Sequence, residues 1–211
     1  MNCTSIINCN YNECQEIMNN SQMVELRLET LQLTNIELKN LCAHAIPKIV
    51  TCRPGKLSTD QCKSILIDAI KNGAEYVDIE VESTHSYKKE IITIANQMGC
   101  KIIISFHNFS DTNHLEILEA IATAEEYNPD VIKIATMVNN NKQVSLLLGL
   151  YNQFNNILAI GMGEKGIITR IAATYLGAPF TFVAPQGKEK SAPGQLTNTQ
   201  MESINTIINQ Q

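Results

Sequence analysis

The strongest constraint on this chain is a rhythm. Short apolar runs alternate with longer amphipathic stretches from one end to the other, a new run beginning roughly every 20–30 residues. Residues 4–7, 23–27, 48–53, 76–80, 101–106, 129–137, 157–163 and 180–183 read as strands. Residues 12–19, 34–44, 58–72, 83–98, 113–127, 140–154, 166–176 and 197–208 read as helices. Thr34 or Asn35 and Ser58 or Thr59 are the expected N-caps, and Gly73 and Gly99 the expected helix stops. Eight such units predict a (β/α)8 barrel forming a single compact domain over residues 1–211. A doubly wound sheet alternates too, but it would carry a glycine-rich phosphate loop after its first strand, and none stands there.

A barrel turns the C-terminal ends of its strands into one active-site face. The polar residues at those ends are Glu25, Arg27, Arg53, Asp78, Glu80, Ser105 and His107, with Lys133 inside its own apolar run. Arg170 follows the glycine-bordered loop 163–166. Thirteen of the sixteen basic residues are Lys, and the three Arg all border this face. A chain that uses Lys for generic surface charge keeps Arg where a planar fork is needed, as in binding a carboxylate. Acidic neighbours would suit the hydroxyls of the same ligand.

Lys133 is the chemical anomaly. Its neighbours are Val131, Ile132, Ile134 and Ala135, and lysine is rarely buried unless paired. A lysine amine held in dry surroundings is available to attack a carbonyl, and nearby arginines would repel its protonated form. The imine so formed is an electron sink for removing an adjacent proton. His107, expected in the loop after the fifth run, is suited to take that proton and deliver it to a leaving group. His44, His85 and His114 fall in helical stretches and read as surface side chains. The polar, Gly- and Pro-rich segment 184–195 reads as a lid that excludes water, with Ser191 and Gln195 toward the ligand.

Composition excludes several other classes. A net charge of -5 speaks against nucleic acid or a polybasic membrane surface as partner. No apolar run approaches the ~18 residues of a spanning helix, and the first residues resemble no signal peptide, so a cytoplasmic location is expected. The seven cysteines have no C-x-x-C pair and read as buried thiols in a reducing compartment rather than zinc ligands or disulfides.

Five motifs in order now resemble a known family: Glu25-Leu26-Arg27, Ser105 to Phe109, Val131 to Ala135, Met162 with Thr169-Arg170, and Ser191-Ala192-Pro193-Gly194-Gln195. They are similar to those of type I 3-dehydroquinate dehydratase and span essentially the whole chain. The resemblance implies conversion of 3-dehydroquinate to 3-dehydroshikimate, a step of the shikimate pathway, through a Schiff base and without metal or cofactor. It implies that Lys133 forms the imine and His107 is the proton donor and acceptor. Arg170 would hold the substrate carboxylate, while Glu25, Arg27 and Arg53 would position hydroxyls and the reacting centre. Met162, Phe109 and Phe182 would line the pocket apolarly, Ser191 and Gln195 would close it, and the protein would be a homodimer.

Two departures stand out. Some members carry a glutamate after the position of Arg53 that orients the histidine; here that loop is Pro54-Gly55-Lys56-Leu57, and Glu80 is the expected replacement. Thr169 stands where Ser is common, which keeps the hydroxyl. The competing readings are a class I aldolase, which would use loop 161–166 for a substrate phosphate, and a non-catalytic barrel that binds a small acid.

Overall fold

The computed structural model describes residues 1–210 and contains the eight expected units. The strands are β1 (Asn2–Ile6), β2 (Met23–Arg27), β3 (Lys48–Thr51), β4 (Tyr76–Glu80), β5 (Lys101–Asn108), β6 (Val131–Met137), β7 (Ile157–Met162) and β8 (Thr181–Val183). The helices are α1 (Tyr11–Asn19), α2 (Asn35–Cys42), α3 (Thr59–Lys71), α4 (His85–Met98), α5 (His114–Glu125), α6 (Asn141–Gly149), α7 (Ile167–Ala172) and α8 (Asn198–Asn209). All eight strands are parallel neighbours in one sheet, ordered β7-β6-β5-β4-β3-β2-β1-β8. The fold is therefore a (β/α)8 barrel. Among the described residues no ladder joins β7 to β8, so the barrel has a seam there; β8 is only three residues long. Gln211, the last residue of the expected domain, lies outside the described residues.

Local chemistry sets the element ends. Asn10, Thr34, Ser58 and Thr197 each begin a helix with a reciprocal capping box, their side chains accepting from the N3 amide while the N3 side chain accepts from the cap amide. Helix α4 stops at Gly99, whose φ of 70° suits glycine. The expected helices 140–154 and 166–176 are shorter than their apolar pattern. Their last turns tighten to 3-10 geometry at Leu150–Asn152 and Ala173–Leu176.

Strand alternation divides the apolar residues into two layers. Outward-facing Val24, Leu26, Val50, Val77, Ile79, Ile102, Ile104, Ile132 and Ile134 meet the helices. Inward-facing Cys3, Met23, Ile49, Ile103, Val131, Leu158 and Phe180 plug the barrel. Each such Ile, Val, Leu or Phe contributes about 1.5–3 kcal/mol by leaving water. One step up the barrel the inward positions become Ser5, Glu25, Thr51, Asp78, Ser105 and Lys133, all of them buried. The plug is a dry floor, and the charges stand on it. All seven cysteines are buried, as expected of small apolar side chains.

Candidate active site

Above the floor lies a cavity of about 320 Å³. Glu25, Arg27, Arg53, Glu80, His107, Phe109, Lys133, Met162, Arg170, Phe182 and Ser191 all line it. Gln195 does not. It stands behind Ser191, its Oε1 accepting from the Ser191 amide and hydroxyl at 3.0 Å each while its Nε2 donates to Ser5 Oγ at 3.3 Å. Phe109 stacks beside His107 at 6.0 Å between ring centroids but is 68% exposed, so it forms a rim rather than a wall.

Lys133 is 6% exposed and occupies the inward position of β6 directly across from Ser105 of β5. The burial is as expected, but carboxylates rather than arginines lie against the amine. The ammonium donates to Asp78 Oδ2 at 2.9 Å and lies 3.9 Å from Glu25 Oε1 and 4.5 Å from the centre of the Phe182 ring. Two carboxylates and an aromatic face thus hold a cation in place. In the sequence Asp78 reads only as one of the strand-end acids suited to a ligand's hydroxyls, whereas here it is the partner of Lys133. The signal available was the alternation Asp78-Ile79-Glu80, which turns both acids inward.

Asp78 is anchored completely. Its Oδ1 accepts from Arg53 Nη2 at 2.7 Å and from Ser105 Oγ at 2.6 Å. Burial works against its charge, but Arg53, Lys133 and His107 outweigh that and hold the carboxyl far below the usual range. Glu25 is fixed in the same manner, Oε2 accepting from Ser5 at 2.9 Å and Oε1 from Thr51 at 3.1 Å. Arg27 is turned onto Glu29, which accepts from its Nε and Nη2 at 2.9 and 2.6 Å.

His107 lies inside β5, not in the loop beyond it, two residues above Ser105 and paired in register with Ala135. The extra strand residues are held by the ladder to β6, which runs on to Asn108 and Thr136. Burial, then the charges of Lys133 and Arg53, push the imidazole down to about 2, so it is neutral near pH 7. Glu80 is near it, with Oε1 3.8 Å from Nδ1, beyond hydrogen-bond length. Glu80 also lies 3.5 Å from Arg53 Nε. Among the described residues His107 Nδ1 has no hydrogen-bond partner.

Arg170 enters from α7 and is 2% exposed. Among the described residues nothing accepts from its buried Nε, and no carboxylate forms an ion pair with it. Burial alone draws its value down to about 10, which still leaves the guanidinium charged at neutral pH. An uncompensated buried cation costs several kcal/mol (order of magnitude) unless a partner arrives. The lid packs beside it: Gly163 donates its amide to Pro193 O at 3.1 Å. Gly194 has φ +75°, and a Cβ there would come within 2.3 Å of Gly163 O. Farther out, Lys188 donates to Glu13 at 2.6 Å and Asn8 donates to Glu189 at 2.8 Å, tying the lid to the first turn of α1 and to the loop after β1.

His44, His85 and His114 lie outside the cavity; His85 instead bonds Tyr127 Oη at 2.9 Å. Among the described residues no group of three or more His, Cys, Asp or Glu side chains is placed to hold a metal ion. No described helix is long and apolar enough to cross a membrane.

Fold and site define a class: a (β/α)8 barrel enzyme whose one cavity holds an inward lysine amine, a neutral histidine on the adjacent strand and an arginine with no counter-ion among the described residues. Residues 3–211 match the family model described as type I 3-dehydroquinase, and the chain belongs to that family. A Methanococcus vannielii protein named 3-dehydroquinate dehydratase is 34% identical over 204 residues, covering 92% of this chain and 91% of the relative. Its counterpart from Methanococcus maripaludis strain C5 is 32% identical over 207 residues, covering 93% of each. The solved structure of the type I 3-dehydroquinate dehydratase of Clostridium difficile, with covalently modified comenic acid, superposes with a TM-score of 0.85 at 24% identity, over 98% of this chain and 91% of its own. At that identity the match speaks for the fold.

Proposed function

We propose that this chain dehydrates 3-dehydroquinate to 3-dehydroshikimate, a step of the shikimate pathway, through an imine on Lys133. The observation that carries the reading is one cavity holding a fixed amine and a buried guanidinium that has no anion among the described residues. A substrate with a ketone at one end and a carboxylate at the other satisfies both. The Lys133 nitrogen attacks the ketone, and loss of water leaves the imine. His107, neutral at working pH, removes the proton from the carbon beside the imine and then protonates the departing hydroxyl. Water returns to release the product.

Arg170 takes the substrate carboxylate in its fork. Glu25, Arg27 and Arg53 hold hydroxyls and the reacting centre. Met162, Phe109 and Phe182 supply the apolar sides. Ser191 reaches the ligand directly, and Gln195 acts by holding Ser191. A phosphosugar aldolase would need the loop after β7 free for phosphate, yet the Gly163 amide is taken by Pro193 O.

The acting unit is one domain, residues 1–211, in the cytoplasm and as a homodimer. Seven unpaired cysteines suit a reducing compartment. Exposed Ile168, Tyr175, Leu176 and Ile208, on segments linked by the Tyr175–Asn205 bond of 3.2 Å, offer apolar surface for a second copy. Incubation with 3-dehydroquinate tests the reaction: the conjugated enone of the product gives rising ultraviolet absorbance. Purified protein that produces no such rise would refute the assignment.

A further inference from the structure

We propose that Asp78 is a catalytic residue: the fixed counter-ion of the protonated imine on Lys133, paired with the same nitrogen before and after imine formation. This inference rests on the reading of Lys133 as the imine former, and goes beyond it by assigning the group that stabilises the charge.

The charge balance gives the reason. A protonated lysine and a ketone become a protonated imine and water. The ammonium first yields one proton to a neutral base, which the His107 imidazole supplies. The free amine bonds to the carbonyl carbon, and a proton passes from nitrogen to the carbonyl oxygen. That hydroxyl takes the proton back from the imidazole and leaves as water, while the nitrogen lone pair forms C=N. The nitrogen carries one positive charge at the start and one at the end. An anion already fixed against it need not reorganise as the reaction proceeds, which is what makes a preformed charge effective in a dry site. A positive iminium is also the better electron sink when the adjacent proton is taken.

Asp78, not Glu25, has the geometry for this. Its two oxygens are divided: Oδ1 accepts from Arg53 and Ser105, and Oδ2 is left for Lys133 at 2.9 Å. Both Glu25 oxygens already accept from the hydroxyls of Ser5 and Thr51, and the nearer lies 3.9 Å from the amine. Asp78 is 1% exposed, so solvent does not screen the pair. The ionisable groups facing Lys133 are Cys3 of β1, Glu25 of β2, Asp78 of β4 and His107 of β5, with Arg53 above β3. Among the described residues the inward faces of β7 and β8 bring no ionisable group, only Leu158, Ile160, Met162 and Phe182. Removing Asp78 therefore removes the closest negative charge.

Asp78→Asn keeps the shape and an acceptor while deleting the charge. The test is turnover of 3-dehydroquinate together with cyanoborohydride trapping on Lys133 across pH, both in the full-length protein. The two readouts separate. We expect kcat to fall roughly 100-fold, the size seen when one preorganised charge-stabilising group is lost, with KM changed only a few-fold. We expect trapping to persist with its pH dependence moved to lower pH, because the free amine forms more readily without the anion. A kcat like that of the wild type would overturn the proposal. So would a joint fall of kcat and trapping with no movement along the pH axis, which marks a structural role. Absence of a Lys133 adduct in the wild type would refute the imine reading itself, a distinct outcome. Should Asp78→Asn fail to fold by circular dichroism, Ser105→Ala loosens the same carboxylate and is expected to move both readouts in the same directions by less; no movement in either would count against the proposal.

Discussion

The two walls of the cavity are built on opposite principles. On the β2–β5 side every charge has a partner: Arg27 with Glu29, Arg53 with Asp78, and Asp78 with Lys133 from the adjoining strand. On the β7–β8 side the surface is Ile160, Met162 and Phe182, and among the described residues Arg170 from α7, the charge that lines it, has none. The first wall is finished before any ligand arrives, as it must be to hold reacting groups in place. The second is incomplete in one respect only. What it lacks is an anion, and the substrate's carboxylate supplies it. Chemistry thus belongs to the paired wall and recognition to the unpaired one.

Substitutions on each side can break this division. The largest effect is expected for Lys133→Ala, which removes the nucleophile: turnover should fall by about 10⁴-fold or more, as for other covalent nucleophiles, measured by enone formation. Next comes His107→Ala. Loss of a general acid–base group typically costs about 10²–10⁴-fold, and here the imine should still form and accumulate, visible as a mass increase on the intact protein. Normal turnover in either variant would mean that the paired wall does not carry the chemistry.

Arg170→Lys tests the other wall. It keeps the charge but loses the fork, and KM should rise about 10–100-fold while kcat changes little. Arg170→Met should go further in binding yet raise the thermal midpoint of the free protein, because it removes an uncompensated buried charge. If Arg170→Lys binds 3-dehydroquinate normally, the carboxylate is held elsewhere. Glu80→Gln should lower kcat only a few-fold, on the order of a weakened neighbouring contact at 3.8 Å, through a less well oriented imidazole.

The smallest effect is on stability. His107 sits near 2 in the folded protein, from burial and then the charges of Lys133 and Arg53, against about 6.5 in an unfolded chain. Between those values the unfolded chain holds the proton and the fold does not. Stability therefore declines as pH drops below about 6.5. Denaturant titrations between pH 5 and 6.5 should show that slope reduced by about one proton in His107→Ala.

The strands were legible because inward and outward residues alternate and each run is closed by a turn or a cap. Tyr76 to Glu80 was read to the residue. Lys133 was conspicuous because apolar neighbours isolate it, and the arginines because there are only three. The pairings were not legible. Lys133 meets Asp78 across 55 positions of chain, and only the barrel's stagger decides which inward residue of β4 is level with which of β6. His107 was placed beyond its strand because polar residues follow Phe106, whereas the ladder to β6 continues past it. The motif points Gln195 at the ligand, but a side chain can serve a site from behind, as Gln195 does by holding Ser191, and residue order does not distinguish the two.

Every role assigned to the cavity depends on Lys133 bonding covalently to the substrate. Borohydride reduction of the protein in the presence of 3-dehydroquinate, followed by peptide mass mapping, tests it directly. One stable adduct is expected on the peptide containing Lys133, absent from Lys133→Ala. No adduct, or an adduct on any other lysine, would contradict it.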